Sequence, residues 1–214
     1  MNLCFVTPAD LEEKRLLAVV EGALEGGADA IQLRRPGATA RDLFPLALLL
    51  RQLADRAGAK LIVNDRADVA VAAGAAAVHL GARSLPVAAA RHVIPTGMTI
   101  GVSCHNLQEA VQAQLEGADY IFLGTVFPSP SKPGGEPLGV KEFARIRAKI
   151  TVPIVAIGGV SAENVGAALA AGADGVAVIS AIADHPSPVE GARALAEAIR
   201  SWRGGRTSAL DVSA

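Results

Sequence analysis

One unit recurs four times along the chain and constrains its fold more than any other feature. In each copy a glycine and an alanine precede an apolar run: GGADAIQL (26–33), AGAAAVHL (73–80), EGADYIFL (116–123) and AGADGVAV (171–178). Glycine can adopt the left-handed conformation that ends a helix, and a small alanine lets that helix pack closely on a sheet. The repeat therefore predicts a helix followed by a buried strand in four places.

Four further apolar runs of strand length lie between these copies, at residues 3–7, 60–64, 99–103 and 153–157. Helical patterns fill the intervals, at 10–26, 39–57, 66–73, 86–94, 106–116, 140–149, 161–171 and 187–202. Apolar strands that alternate with helices indicate a parallel sheet covered by helices. Eight such units close into a barrel, whereas an open doubly wound sheet more often has five or six strands. We predict an α/β fold, a single (βα)8 TIM barrel in residues 1–202, with a disordered tail in 203–214.

The composition restricts the partners and the location that we expect. A net charge of −1 gives no reason to expect a nucleic-acid partner, and charged residues interrupt every apolar run before it reaches the length of a membrane span. The first residues show no basic leader followed by an apolar core, and Cys4 and Cys104 lack metal-type spacing. We therefore predict a cytoplasmic protein without nucleic-acid or membrane partners. The alanine-rich helices would suit a homodimer.

The segment PIVAIGGVSAENVGAALAAGADGVAVISAI (153–182) predicts a phosphate site. Glycines follow the seventh strand, and small residues and a short extra helix near Ala181 follow the eighth, so both turns expose backbone N–H groups. In βα barrels phosphate is commonly held after strands seven and eight. The predicted phosphate-binding residues are Gly158, Gly159, Val178, Ile179, Ser180 and Ala181. The alternative is that these glycines only make tight turns.

Polar residues gather after the other strands, where a βα barrel carries its functional groups. The candidates for substrate binding or chemistry are Gln32, Arg34, Asn64, Asp65, Ser103, His105, Thr125, Ser129, Ser131 and Lys132. Together they place guanidinium, carboxylate, imidazole, hydroxyl and ammonium groups on one rim. A sugar-phosphate isomerase usually places a carboxylate base at a strand end, and no carboxylate stands directly at the end of strand six, which argues against that class.

Six segments resemble the thiamine phosphate synthase and thiazole tautomerase superfamily. They are IQLRRPGAT, IVNDRADVAVAAGAAAVHLG, GVSCHNLQEA, ADYIFLGTVFPSPSKPG, PIVAIGGVSAENV and AGADGVAVISAI, in order and over most of the chain. The resemblance implies a βα barrel that binds thiazole phosphate at the phosphate site described above. The synthase joins a pyrimidine pyrophosphate to a carboxythiazole phosphate and releases pyrophosphate and carbon dioxide, whereas the tautomerase aromatises the thiazole phosphate by moving a proton.

The sequence departs from the synthase pattern at two places. Gln-x-Arg-Glu-Lys is typical after strand two, and here Arg35 and Pro36 replace the Glu-Lys pair. The aspartate of Asn-Asp-Arg, Asp65, matches one magnesium ligand of the synthase, but Ser84, preceded by Arg83, occupies the position of the other. We therefore predict a tautomerase-like enzyme without a cofactor. The alternatives are a synthase that uses Mg²⁺, in which Asp65 would be a ligand, and a non-catalytic regulator that binds thiazole phosphate.

The resemblance also suggests roles for individual residues. The tautomerase carries a histidine just after the glycine that ends strand six, and Thr125 stands there, although a hydroxyl cannot relay a proton at neutral pH as imidazole can. We assign proton transfer to His105, with Cys104 as the next candidate, and the substrate carboxylate to Arg34 and Lys132.

Each of these candidates also has a structural alternative. His105 could cap a helix, His79 could be a hydrogen-bonded core residue, and Cys104 could be a buried filler. Asp65 could pair with Arg34 or Arg66, and Lys132 could be an ordinary exposed lysine.

Overall fold

Eight parallel strands form a closed barrel in which every strand pairs with its neighbours in the chain and the last pairs with the first. The structure, a computed structural model, describes residues 1–129 and 134–210. The strands are β1 (Leu3–Val6), β2 (Ala30–Leu33), β3 (Lys60–Asn64), β4 (Ala77–Leu80), β5 (Thr99–Cys104), β6 (Tyr120–Gly124), β7 (Ile154–Ile157) and β8 (Gly175–Val178). The predicted (βα)8 barrel is confirmed.

Helices follow the strands and cover the outside of the barrel. They are α1 (Glu13–Glu25), α2 (Ala40–Arg56), α3 (Ala67–Ala72), α4 (Val87–Val93), α5 (Leu107–Leu115), α6 (Gly139–Arg147), α7 (Val165–Ala170), α8 (Ser180–Ala183) and α9 (Pro188–Leu210). The short helix α8 is the extra helix that was predicted near Ala181. None of the helices within the described residues is long and apolar enough to cross a membrane. The homodimer and the cytoplasmic location stay predictions.

The repeated Gly-Ala unit carries an aspartate that stabilises the amino-terminal end of the barrel. In three copies its carboxylate accepts the N–H at the start of the preceding strand. The pairs are Asp29 with Leu3 (3.1 Å), Asp119 with Ile100 (2.6 Å) and Asp174 with Ile154 (2.8 Å). In the fourth copy Ala76 stands in the same register, because its N–H donates to the Leu61 carbonyl (2.9 Å) as that of Asp29 donates to the Leu3 carbonyl (3.0 Å). Ala76 offers no carboxylate to Leu61.

The apolar core has two parts, separated by the wall of the barrel. The outer part lies between the strands and the helices and contains Phe5, Phe143 and many aliphatic side chains. The inner part fills the barrel with Tyr120, Phe122 and smaller residues. Three polar side chains among the described residues are also buried near the carboxyl ends of the strands, since Thr7, Gln32 and His79 are 0 %, 2 % and 1 % exposed. The interior is therefore a packed floor beneath the site.

The last helix continues beyond Trp202, where the sequence pattern had predicted its end. Arg203 lies in this extension and donates to the Asp174 carbonyl (2.7 Å) and to the Asn2 side chain. These contacts hold the helix against the amino-terminal end of the barrel and stabilise its extension beyond Trp202. The helix is described to Leu210. Residues 211–214 of the predicted tail lie outside the described residues.

Candidate functional site

A cavity of about 360 Å³ opens where the carboxyl ends of the strands meet. Most of the predicted site residues line it: Gln32, Arg34, Asn64, Asp65, Ser103, His105, Thr125, Ser129, Gly158, Gly159, Val178, Ile179 and Ser180. Arg83 and His79 line it as well, whereas Ala181, in α8, is not part of the lining. Ser131 and Lys132 lie outside the described residues, so their roles stay predictions.

A chain of hydrogen bonds joins three strand ends on one side of the cavity. The amide of Gln32 donates to Asn64 Oδ1 (2.9 Å), and the amide of Asn64 donates to Asp65 Oδ2 (2.7 Å). Asp65 Oδ1 accepts the Gly81 N–H (3.1 Å) and the Ser84 hydroxyl. The Asp65 carboxylate is therefore held by three donors, and Ser84 contacts it directly.

The backbone of Asp65 directs this carboxylate toward the loop after β4. Its φ of 62° lies in the left-handed region, which aspartate tolerates better than most residues, and its N–H donates to the His79 carbonyl (2.8 Å). Arg66 does not pair with Asp65, because its Nε contacts Asp68 Oδ1 at 2.8 Å. The predicted alternative of an Asp65–Arg66 pair is therefore wrong.

Gln32 lines the cavity and carries a buried acceptor. Its Nε2 is engaged with Asn64, but within the described residues no group donates to its buried Oε1. A buried acceptor without a partner is costly, typically 1–3 kcal/mol. A ligand that brings a donor to this position would recover that cost.

Thr7, which was not among the predicted residues, holds the backbone of Arg34. The buried Thr7 hydroxyl accepts the Arg34 N–H (2.8 Å) and donates to the Arg34 carbonyl (3.2 Å). Its position at the end of an apolar first strand was the available signal. The next residue, Arg35, donates instead to the Leu11 carbonyl (2.7 Å) and does not line the cavity. Of these two arginines, only Arg34 faces the site.

His105 lines the cavity but is tied to the start of α5. Its N–H and its Nδ1 both contact Glu109 Oε2, at 2.8 and 3.0 Å, while Asn106 accepts the Glu109 N–H (2.9 Å). Partial burial tends to raise the pKa of Glu109, but hydrogen bonds from His105 and Asn106 lower it below its usual value. This geometry fits the helix-capping alternative for His105. Glu109 was missed, although Asn-x-x-Glu is a local capping signal.

His79 and Cys104 are buried as the structural alternatives expected. His79 packs on Phe122, with ring centroids 4.3 Å apart, and its Nε2 lies 2.9 Å from Ser103 Oγ. Burial lowers the pKa of His79 to about 3, against the opposing effect of Asp65, so the ring is neutral. Burial likewise raises the pKa of the Cys104 thiol to about 12. Cys104 is thus unsuited to proton transfer at neutral pH.

The two residues after β7 must be glycines, because of their backbone conformation and because the neighbouring loop leaves no space for a side chain. Gly158 and Gly159 have φ angles of 94° and 65°. A Cβ at Gly159 would lie 2.3 Å from the Pro128 carbonyl, and one at Gly158 would lie 2.5 Å from Thr125 Cγ2. The predicted alternative, that these glycines make a tight turn, is therefore correct: the turn packs against the loop after β6. Both residues also line the cavity, and because they are glycines no side chain stands between their backbone and a ligand.

Comparisons with known proteins show a family match and several relatives that are similar over most of the chain. The family described as thiamine monophosphate synthase matches residues 3–182. A thiamine-phosphate synthase of Chlorobium luteolum is 44% identical over 95% of both chains, and one of Methanoculleus marisnigri is 48% identical over 83% of this chain and 84% of its own. The solved structure of a thiamine phosphate pyrophosphorylase from Pyrococcus furiosus is 34% identical, has a TM-score of 0.85, and aligns over 94% of this chain and 96% of that one.

Proposed function

The chain belongs to the thiamine monophosphate synthase family, and we propose that it is itself a thiamine-phosphate synthase, which transfers a pyrimidine from its diphosphate to a carboxythiazole phosphate. The observation that carries this proposal is the 44% identity to a named synthase over 95% of both chains. The same relatives favour the synthase alternative over the predicted tautomerase. Thr125 agrees, since it stands where the tautomerase has its proton-transferring histidine.

The two substrates find complementary groups in the cavity. The thiazole phosphate fits against the backbone of Gly158, Gly159 and Ser180, where N–H groups after two strands can bind phosphate oxygens. Gln32 lines the cavity, and we assign its unpaired Oε1 as the acceptor for an amino group on the pyrimidine. Arg34 supplies a guanidinium for the thiazole carboxylate or for the diphosphate, since such forks bind both groups.

The residues do not fit the two-carboxylate magnesium site that the family resemblance implies. Among the described residues that line the cavity, Asp65 is the one carboxylate; its oxygens accept from three donors, and Ser84 stands in the other ligand position. Within the described residues no three His, Cys, Asp or Glu side chains cluster as metal ligands would. We therefore assign charge neutralisation of the departing diphosphate to Arg34 and Arg83, which both line the cavity.

A paired assay tests the proposal. Chelator-treated and magnesium-supplemented protein are each given carboxythiazole phosphate, with and without the pyrimidine diphosphate. Formation of thiamine phosphate with release of pyrophosphate and carbon dioxide is expected, and only when both substrates are present. Isomerised thiazole without coupling would instead establish a tautomerase. Tight thiazole phosphate binding without either reaction would identify a non-catalytic binding protein.

A further inference from the structure

We infer that His79 is a positioning residue which fixes the Ser103 hydroxyl so that its O–H points into the cavity as a hydrogen-bond donor. His79 Nε2 and Ser103 Oγ are 2.9 Å apart. His79 is 1 % exposed, while Ser103 is half-buried and lines the cavity. The contact therefore connects the packed floor to the ligand space. The role of His79 rests on the proposed function only for the identity of the ligand.

The position of the imidazole proton decides which way the Ser103 hydroxyl turns. The ring lies between apolar surfaces, with Phe122 at 4.3 Å and Tyr120 at 5.8 Å between centroids, so it is neutral and carries one N–H. Within the part of the chain that is described, Nδ1 has no hydrogen-bond partner. Among these residues Nδ1 is unpaired in either tautomer, and a buried N–H without an acceptor is rarer in native structures than a buried acceptor without a donor.

The proton therefore belongs on Nε2, where it can donate to Ser103 Oγ. Because this bond uses a lone pair of the hydroxyl oxygen, the Ser103 O–H remains available to an acceptor atom in the cavity. With the proton on Nδ1 the direction would reverse, since Ser103 would donate to Nε2 and present only lone pairs to a ligand. His79 thus sets the Ser103 hydroxyl as a hydrogen-bond donor to the cavity.

Nitrogen NMR tests the tautomer without any substrate. In protein labelled with ¹⁵N-histidine at neutral pH, the His79 signals are assigned by their loss in His79→Gln. We expect a protonated Nε2 and an unprotonated Nδ1, with the Nε2 shift changed by Ser103→Ala. A protonated Nδ1, or a doubly protonated ring, would overturn the inference whatever reaction the protein catalyses.

Kinetics tests the consequence for the ligand. His79→Leu keeps an apolar side chain in the floor but loses the donor, and we expect kcat/KM to fall by about tenfold or more, as for Ser103→Ala. Since both act through one hydroxyl, the double variant is expected to lose no more than either single variant. His79→Gln, which can place an amide N–H near Nε2, is expected to regain most of the loss.

The outcomes separate the two proposals. Multiplicative losses in the double variant, or no rescue by glutamine in a protein that melts like the wild type, would overturn the role of His79. Failure of the wild-type protein to form thiamine phosphate would overturn the proposed function alone. In that case, the NMR result would still decide the inference.

Discussion

At the scale of single residues, the two adjacent arginines after β2 differ sharply in what they can do. Arg34 lines the cavity, whereas Arg35 donates to the Leu11 carbonyl and does not. We expect Arg34→Ala to lower kcat/KM by about tenfold to a hundredfold, because it removes charge-assisted hydrogen bonds to an anionic substrate. Arg35→Ala, measured in the same coupling assay, is the matched control and should stay close to wild type. Equal losses in both variants would remove Arg34 from substrate binding.

Ser84 stands where the synthase pattern has a second carboxylate. It contacts Asp65 directly, so Ser84→Asp would put a second carboxylate beside the first. Magnesium is commonly bound by one or two carboxylates together with substrate phosphates. We expect calorimetry with inorganic pyrophosphate to show magnesium binding at least about tenfold tighter in this variant. Ser84→Ala, which adds no charge, should show no such gain, and unchanged affinity in Ser84→Asp would contradict the argument.

Burial suppresses the reactivity of the Cys104 thiol. Its pKa is raised to about 12, so the thiol remains protonated at neutral pH and up to that value, and the nucleophilic thiolate is scarce. We expect no iodoacetamide adduct on Cys104 by mass spectrometry in folded protein at neutral pH. The same protein unfolded in guanidinium should be modified, which serves as the control. Rapid labelling of the folded form would show that the thiol is accessible.

At the scale of the element, the repeated aspartate links a helix end to the start of the preceding strand. Asp29→Ala would remove acceptors for the N–H groups of Asn2 (2.7 Å) and Leu3 (3.1 Å). We expect the free energy of unfolding to fall by about 1–2 kcal/mol in a denaturant titration. Ala76→Asp should have the opposite effect, by about 0.5–1.5 kcal/mol, because it completes the fourth copy. Ala76→Val, which has no acceptor, is the control and should bring no gain.

The elements were also the part of the structure most readable from the sequence. Glycine at helix ends and apolar runs at fixed spacing are local signals, and they gave all eight strands and the helix after each. The contact of His105 with Glu109 is local too, and the Asn106 cap could have revealed it. By contrast, Asp65 meets Ser84 across 19 positions in the chain, which no local pattern encodes. The end of α9 depends in the same way on distant contacts of Arg203.

At the scale of the whole molecule, ligand binding at the phosphate site should stabilise the entire barrel. The site joins residues after β7 with residues after β8, so unfolding destroys it and a ligand favours the folded state. Thiazole phosphate at a hundred times its Kd would contribute about 2.7 kcal/mol. For a domain of this size the Tm should rise by about 5–11 °C in a thermal melt. The thiazole alcohol, which lacks the phosphate, is the control, and an equal rise with it would contradict a phosphate site.

The contacts of Arg203 with Asn2 and with the Asp174 carbonyl have a consequence for chain connectivity. They bring the beginning of β1 and the last helix together at the end of the barrel opposite the cavity. A short linker could therefore join these two points. The chain could then be opened at another loop on the end of the barrel opposite the cavity. Such a circular permutation would change the order in which the βα units are synthesised while leaving the site intact. The order of the units around the ring, rather than the place where the ring is cut, is what builds the cavity.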